Sequence, residues 1–211
     1  MSNQVSIDQF KKHIVESGIL DPEGVHHEFV SGLHGRKLDF DAIEDGSDLF
    51  KEWVLVVAQT LRELYPEDLK NGDLVLLSVA GGTNRLVGPV AKELGGDVVA
   101  LLTEKVSPKE VKLTDDSAQR LKKLSPGLVV AIEDVGTRGT TSATAVLSAR
   151  AAGARRVEAL NTWQRRPQLE ELEAISAVYN SVIKDELETL SPEDCRASGY
   201  CAKGWEYIKH D

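Results

Sequence analysis

The sequence predicts an α/β fold: a parallel twisted sheet flanked by helices. Three observations carry that prediction. From Leu74 onward, short apolar runs alternate with segments of helical periodicity, the pattern of successive βαβ units. The strand-like runs are apolar almost throughout, as strands covered on both faces require. One run passes through two carboxylates into a Gly/Thr turn, and ligands of parallel sheets sit beyond the carboxyl ends of the strands.

Each element follows in chain order. Ile7, Phe10, Lys11, Ile14 and Val15 keep a helical spacing that Gly18 ends. Residues 26–43 are irregular and rich in Gly, His and charge. Ser47 is a candidate N-cap for a helix whose apolar side is Phe50, Trp53, Val54, Val57, Leu61 and Leu64, with Pro66 as its stop. Leu74–Val79 reads as a buried strand. Leu86, Val87, Val90, Ala91 and Leu94 make one helical face after the Gly81-Gly82 turn. Strands follow at Val98–Leu102, Leu128–Val135, Val157–Leu160 and Val178–Ile183, with helices over Ser142–Ala152 and Pro167–Ser176. Residues 103–125 read as a long connection without an apolar period, and connections of this length usually serve function.

Composition narrows the function. The 211 residues suit a single domain, 41% are hydrophobic and 28% charged, as in a globular chain. A net charge of -9 with no segregated basic patch argues against a nucleic-acid partner. No run approaches the ~18 apolar residues of a membrane span. The first 21 residues lack the apolar core of a signal peptide, so a cytoplasmic location is expected. Two cysteines are too few for a disulfide framework.

The most informative segment is Val129-Val130-Ala131-Ile132-Glu133-Asp134-Val135-Gly136-Thr137-Arg138-Gly139-Thr140-Thr141. Backbone N–H groups of the turn and the start of the following helix make a site for a phosphate. Thr137, Thr140 and Thr141 add hydroxyl donors, and Gly136 and Gly139 let a ligand approach the backbone. Glu133 and Asp134 could accept hydrogen bonds from sugar hydroxyls or help hold Mg²⁺. Neither a Gly-x4-Gly-Lys-Ser/Thr loop nor a Gly-x-Gly-x-x-Gly turn after a strand occurs.

Apolar strand, acidic pair and Thr-x-Gly-x-Thr together resemble the donor signature of type I phosphoribosyltransferases, most closely the orotate branch. The resemblance implies one domain over residues 1–211, with a small hood from segments at about 1–45 and 161–211. It implies 5-phosphoribosyl 1-diphosphate and a nitrogenous base as partners, Mg²⁺ as cofactor and a homodimer. In that family the loop after the first sheet strand cups the diphosphate, here Ser78, Ala80, Gly81 and Gly82, with Ser78 standing where a Gly is usual. A plain turn capped by Thr83 is the alternative reading of that loop. The connection 103–125 corresponds to a mobile lid, usually opened by Arg-Lys and here by Glu104-Lys105. Lys105 is the first choice for a catalytic lysine and Lys112 the second, with Asp134 as the catalytic carboxylate.

For the acceptor base, Ser31-Gly32-Leu33-His34-Gly35-Arg36-Lys37-Leu38-Asp39-Phe40-Asp41 resembles a hood segment of orotate enzymes that reads Ser-Gly-x-x-Ser followed by aromatic and acidic residues, with Gly35 in place of the second Ser, which points to Ser31 and Lys37. An Asp-Arg expected after the fourth strand is replaced by Asn161-Thr162-Trp163-Gln164-Arg165-Arg166, so Arg165 or Arg166 could take that part, with Arg165 the candidate carried forward, and the Asp is absent. The tail resembles a subset of orotate-type enzymes with two cysteines before Lys-Gly. Two thiols fall short of the four ligands zinc takes, and His210 is the only histidine near in sequence, so Cys195 and Cys201 read as packing thiols. A purine-type enzyme of the same fold, or a donor-sensing regulator without catalysis, stays open beside the orotate reading.

Overall fold

In the computed structural model, residues 5–29, 32–79 and 81–208 are described. Helices α1 (Ile7–Glu16), α2 (Asp48–Leu64) and α3 (Pro66–Lys70) precede the main sheet. Its strands are β3 (Leu74–Ser78), β4 (Val99–Leu101), β7 (Leu128–Gly136), β8 (Val157–Gln164) and β9 (Tyr179–Lys184), all in parallel pairs. Helices α4 (Val87–Leu94), α6 (Thr140–Ala151) and α7 (Glu170–Ala174) connect them. The order β4-β3-β7-β8-β9 reverses direction between β3 and β7. A parallel sheet opens a ligand crevice at such a point, outside the carboxyl ends of the two strands.

Alternation along the strands builds two cores. Leu74 and Leu76 of β3 and Val130 and Ile132 of β7 face α1, α2 and α4, with Phe10, Trp53 and Leu61. Val75, Leu77, Val129 and Ala131 face the other way, onto Ala145, Val146 and Ala149 of α6. Each fully buried Leu or Phe contributes roughly 1.5–3 kcal/mol. Trp53 joins the layers, its indole N–H donating to Thr162 Oγ1 at 2.7 Å. Ser47 caps α2 by accepting from the Phe50 N–H at 3.1 Å. Pro66 ends α2 and also starts α3, where its missing N–H costs nothing.

Two regions differ from the sequence expectation. Residues 103–125 are not irregular: they form the hairpin β5 (Thr103–Ser107) and β6 (Glu110–Leu113), then α5 (Asp115–Leu124) capped by Thr114. Val111 and Leu113 alternate with Lys112 and bury against α6, and the Val111 and Leu113 N–H groups donate to Thr144 and Ser148. The second region is the hood. It carries a four-stranded sheet in the order β10-β2-β1-β11: β1 (Val25–Glu28), β2 (His34–Gly35), β10 (Thr189–Leu190) and β11 (Glu206–Ile208), with α8 (Pro192–Ala197) beside it. Residues 161–184 complete β8, α7 and β9 of the main sheet, so its C-terminal part starts later than residue 161. Among the described residues no helix is long and apolar enough to cross a membrane.

Candidate functional site

The turns after β3 and β7 lie at the reversal point of the sheet. After β7 the chain runs through Gly136 and Thr137, then Gly139 N-caps α6 with φ of 76°. The first N–H groups of a helix have no partner within it, so they face the crevice with the positive end of the helix dipole. The turn is braced from outside. Gly136 O accepts from the Arg165 N–H at 3.0 Å, Arg138 O accepts from the Glu171 N–H at 3.1 Å, and the Arg138 guanidinium pairs with Glu171 at 3.0 Å. A Cβ on Gly136 would sit 2.7 Å from Asn161 Oδ1, so a larger residue here requires the buried Asn161 side chain to shift.

The acidic pair divides across the sheet. Glu133 is in phase with Ala131 and turns toward α6, where its carboxylate accepts from the Ser142 hydroxyl. Burial pushes the Glu133 carboxyl up to about 8, opposed by hydrogen bonds from Ser142 and Thr141 and reinforced by Asp134. Asp134 is in phase with Ile132 and turns the other way, toward Gly82. A Cβ on Gly82 would lie 3.0 Å from Asp134 Oδ2 and 2.7 Å from Asp41 Oδ1. The Asp134 carboxyl is raised by burial first and by Asp41 as well, while the Val135 N–H and Lys105 pull it back. The two neighbours therefore do not form one chelate. The carboxylate that joins Asp134 is Asp41, the acidic end of the hood segment 31–41, which the sequence assigned to the base rather than to a place beside Asp134. It is set by the short helical turn 40–42, whose Phe40 is buried and whose carbonyl accepts from Arg85.

The loop after β3 divides likewise. Ser78 is fully buried, its hydroxyl held by Asn84 and the Thr103 N–H, so it braces the loop from inside. Gly81 has φ of 119°, which glycine alone adopts at low cost, and Gly82 is buried beneath the two carboxylates. Ala80 lies outside the described residues, as do Ser31 and His210.

The hairpin presents its lysines unequally. Lys105 pairs in register with buried Val111 and shares its face. Its Nζ reaches within 3.9 Å of the point where Gly81 would carry a Cβ. Lys112 stands opposite Glu104 on the outer face and forms an ion pair with it at 3.2 Å. Register thus separates the two candidates: Lys105 faces the crevice and Lys112 does not.

A cavity of about 350 Å³ continues from the α6 turn. Glu133, Val135 and Thr137–Thr141 form its floor, Pro108 and Lys109 of the hairpin tip one side, and Phe29, Lys37 and Arg165 the hood side. Lys37 pairs with Asp39 at 2.8 Å. Arg165 is 2% exposed, its guanidinium lies 4.5 Å from the Phe29 ring centre, and it donates to Arg36 O. Its Nε has no hydrogen-bond partner, and burial pulls the group down to about 10. A buried guanidinium with an unmatched donor is a site for a carboxylate or carbonyl oxygen.

Solved structures share this architecture. An orotate phosphoribosyltransferase from Aeropyrum pernix superposes with a TM-score of 0.59 at 19% identity, over 82% of this chain and 91% of that one. The adenine phosphoribosyltransferase of Saccharomyces cerevisiae gives 0.58 at 18%, over 83% and 99%. The Leishmania donovani UMP synthase gives 0.63 at 15%, over 85% of this chain and 36% of that longer one. The chain has the type I phosphoribosyltransferase fold. The sequence itself matches no family model and no curated protein. The turn after β7, the hairpin tip and the hood line one cavity, and the turn after β3 meets the other face of β7 through Asp134.

Proposed function

We propose that the protein is a phosphoribosyltransferase that moves phosphoribose from 5-phosphoribosyl 1-diphosphate to a ring nitrogen of a base, with orotate as the preferred acceptor. The observation that carries this reading is the juxtaposition at the sheet reversal: an open helix N-terminus after β7, half-buried carboxylates on the two sides of that strand, and Lys105 on the Asp134 side. The turn 136–141 suits a 5-phosphate through its N–H groups and threonine hydroxyls. Glu133 and its hydroxyl partners suit the ribose. The Gly81-Gly82 turn and Lys105 suit the diphosphate, where negative charge grows as the bond from C1 breaks. The oxygen donors of Asp41 and Asp134 suit Mg²⁺, which would neutralise that charge. Arg165 supports orotate, since its unmatched donor answers an acceptor carboxylate.

A second reading, a purine base as acceptor, has support from the yeast adenine enzyme, which superposes about as well as the orotate enzyme. One assay separates these readings: the protein with Mg²⁺ and donor is offered orotate, adenine, guanine and hypoxanthine, and diphosphate release is measured. Release with orotate is expected. Release only with a purine replaces the acceptor. Donor binding with no release from any base makes the protein a sensor of the donor.

A further inference from the structure

The hood brings together four side chains that are far apart in the chain. His26 comes from β1, His34 from β2, Cys195 from α8 and Cys201 from the turn after it. One ligand atom from each lies within 4.8 Å of every other. His26 Nε2 is 3.3 Å from Cys201 Sγ, His34 Nδ1 is 3.7 Å from the same sulfur, and the sulfurs are 3.0 Å apart. His26, His34 and Cys195 are buried and Cys201 partly so. None of the four lines the cavity at the α6 turn.

Hydrogen bonding among these groups cannot satisfy them all. A thiol carries one proton and is a weak donor, yet Cys201 faces two imidazoles and a second sulfur. Buried polar atoms are normally matched, so convergence of two imidazoles and two thiols on one point calls for a shared partner. A cation bound by all four supplies it. We propose that His26, His34, Cys195 and Cys201 form a structural Zn²⁺ site that clips the N-terminal and C-terminal halves of the hood together.

Chemistry and geometry select zinc. Two sulfurs and two nitrogens in a tetrahedron are a zinc donor set, and four protein ligands leave no open position, as in structural sites. Bonds of about 2.3 Å to sulfur and about 2.0–2.1 Å to nitrogen give ligand-to-ligand edges of roughly 3.3–3.8 Å. The two sulfur–nitrogen distances fall there, and the sulfurs need to part by only a fraction of an ångström. The Cys201 N–H already donates to Cys195 Sγ at 3.2 Å, a bond that favours a thiolate. The ring of Tyr207 stacks on His34 at 16° and holds its plane. A second cavity of about 280 Å³, lined by Glu28, His34, Arg196, Cys201 and Tyr207, gives an entry path. On binding, both thiols release their protons to solvent and no electron is transferred.

The test uses the full chain purified under reducing conditions. Elemental analysis should find about one zinc per chain. Exchange for Co²⁺ should give the intense visible bands of a tetrahedral ion and a thiolate charge-transfer band. Cys201→Ser and His34→Gln should each weaken Co²⁺ binding at least tenfold, and His27→Gln, whose ring faces Asp21 instead, should not. If these variants fail to fold, the parent protein still decides: a chelator should lower its melting temperature, and Zn²⁺ but not Mg²⁺ should restore it. Absence of zinc together with no Co²⁺ charge-transfer band in the reduced parent overturns the site. So does a bound metal whose spectrum is unchanged in both ligand variants.

Discussion

Glu133 shows how position in a strand sets chemistry. It follows the five buried apolar residues 128–132 of β7, and that context, more than any charge, raises its carboxyl to about 8 from 4.5. Between those values the unfolded chain gives up the proton while the folded protein keeps it. The folded state binds more protons across that window, so stability falls as pH rises through it and levels off above about 8. Glu133→Gln removes the linkage. In metal-free protein without donor, the stability of E133Q relative to the parent should rise by roughly 1–3 kcal/mol between about pH 5 and pH 8. Denaturant titrations at several pH values measure this, and a difference independent of pH would show that Glu133 is already ionised at neutrality. The sequence displayed the acidic pair but not its division. That division follows from strand alternation, and Asp41 joins from a segment with no regular pattern of its own. The crowding at Gly136 is set by Asn161 across the sheet, a contact invisible in a linear reading.

At the scale of elements, legibility followed the length of the apolar signal. Helices α2 and α4 and strands β3 and β7 each carry enough buried residues to declare their period, and they form where the pattern puts them. The hood strands hold two to four residues and pair across the length of the chain, as Val25 does with Glu206, so no local period marks them. The hairpin lies between these cases. Its one clear alternation, Val111-Lys112-Leu113, is too short to outweigh the charge around it. Yet that alternation decides which lysine faces the crevice. Lys105→Ala should lower turnover at least tenfold, ~1.4 kcal/mol of barrier, with a smaller change in donor affinity, because its charge matters most as diphosphate departs. Lys112→Ala should stay within about twofold of the parent, since it loses only an exposed pair with Glu104. Equal losses in the two variants would mean that the hairpin turns over on binding donor.

At the scale of the whole molecule, the cavity lies between two units of different construction. Its floor belongs to the parallel sheet, whose two-sided core fixes the α6 turn. Its roof belongs to the hood, a small sheet of strands two to four residues long. Arg165 joins them. Its backbone continues β8, its N–H holds Gly136 O, its carbonyl accepts from the Leu187 N–H, and its guanidinium reaches Phe29 and the Arg36 carbonyl. If the floor holds donor and the roof selects the base, the two affinities are separable at this residue. Arg165→Lys keeps the charge and much of the stem but loses the planar fork, which matches a carboxylate where an ammonium does not. The Michaelis constant for orotate should rise about tenfold or more in R165K, a loss of ~1.4 kcal/mol, while donor affinity measured by calorimetry stays within about twofold. The Gly136 contact is made by the backbone N–H, which lysine retains, so the phosphate turn stays braced. A donor affinity that falls in step with that for orotate would mean that Arg165 acts through the turn, and the acceptor would then have to be sought on another wall of the cavity.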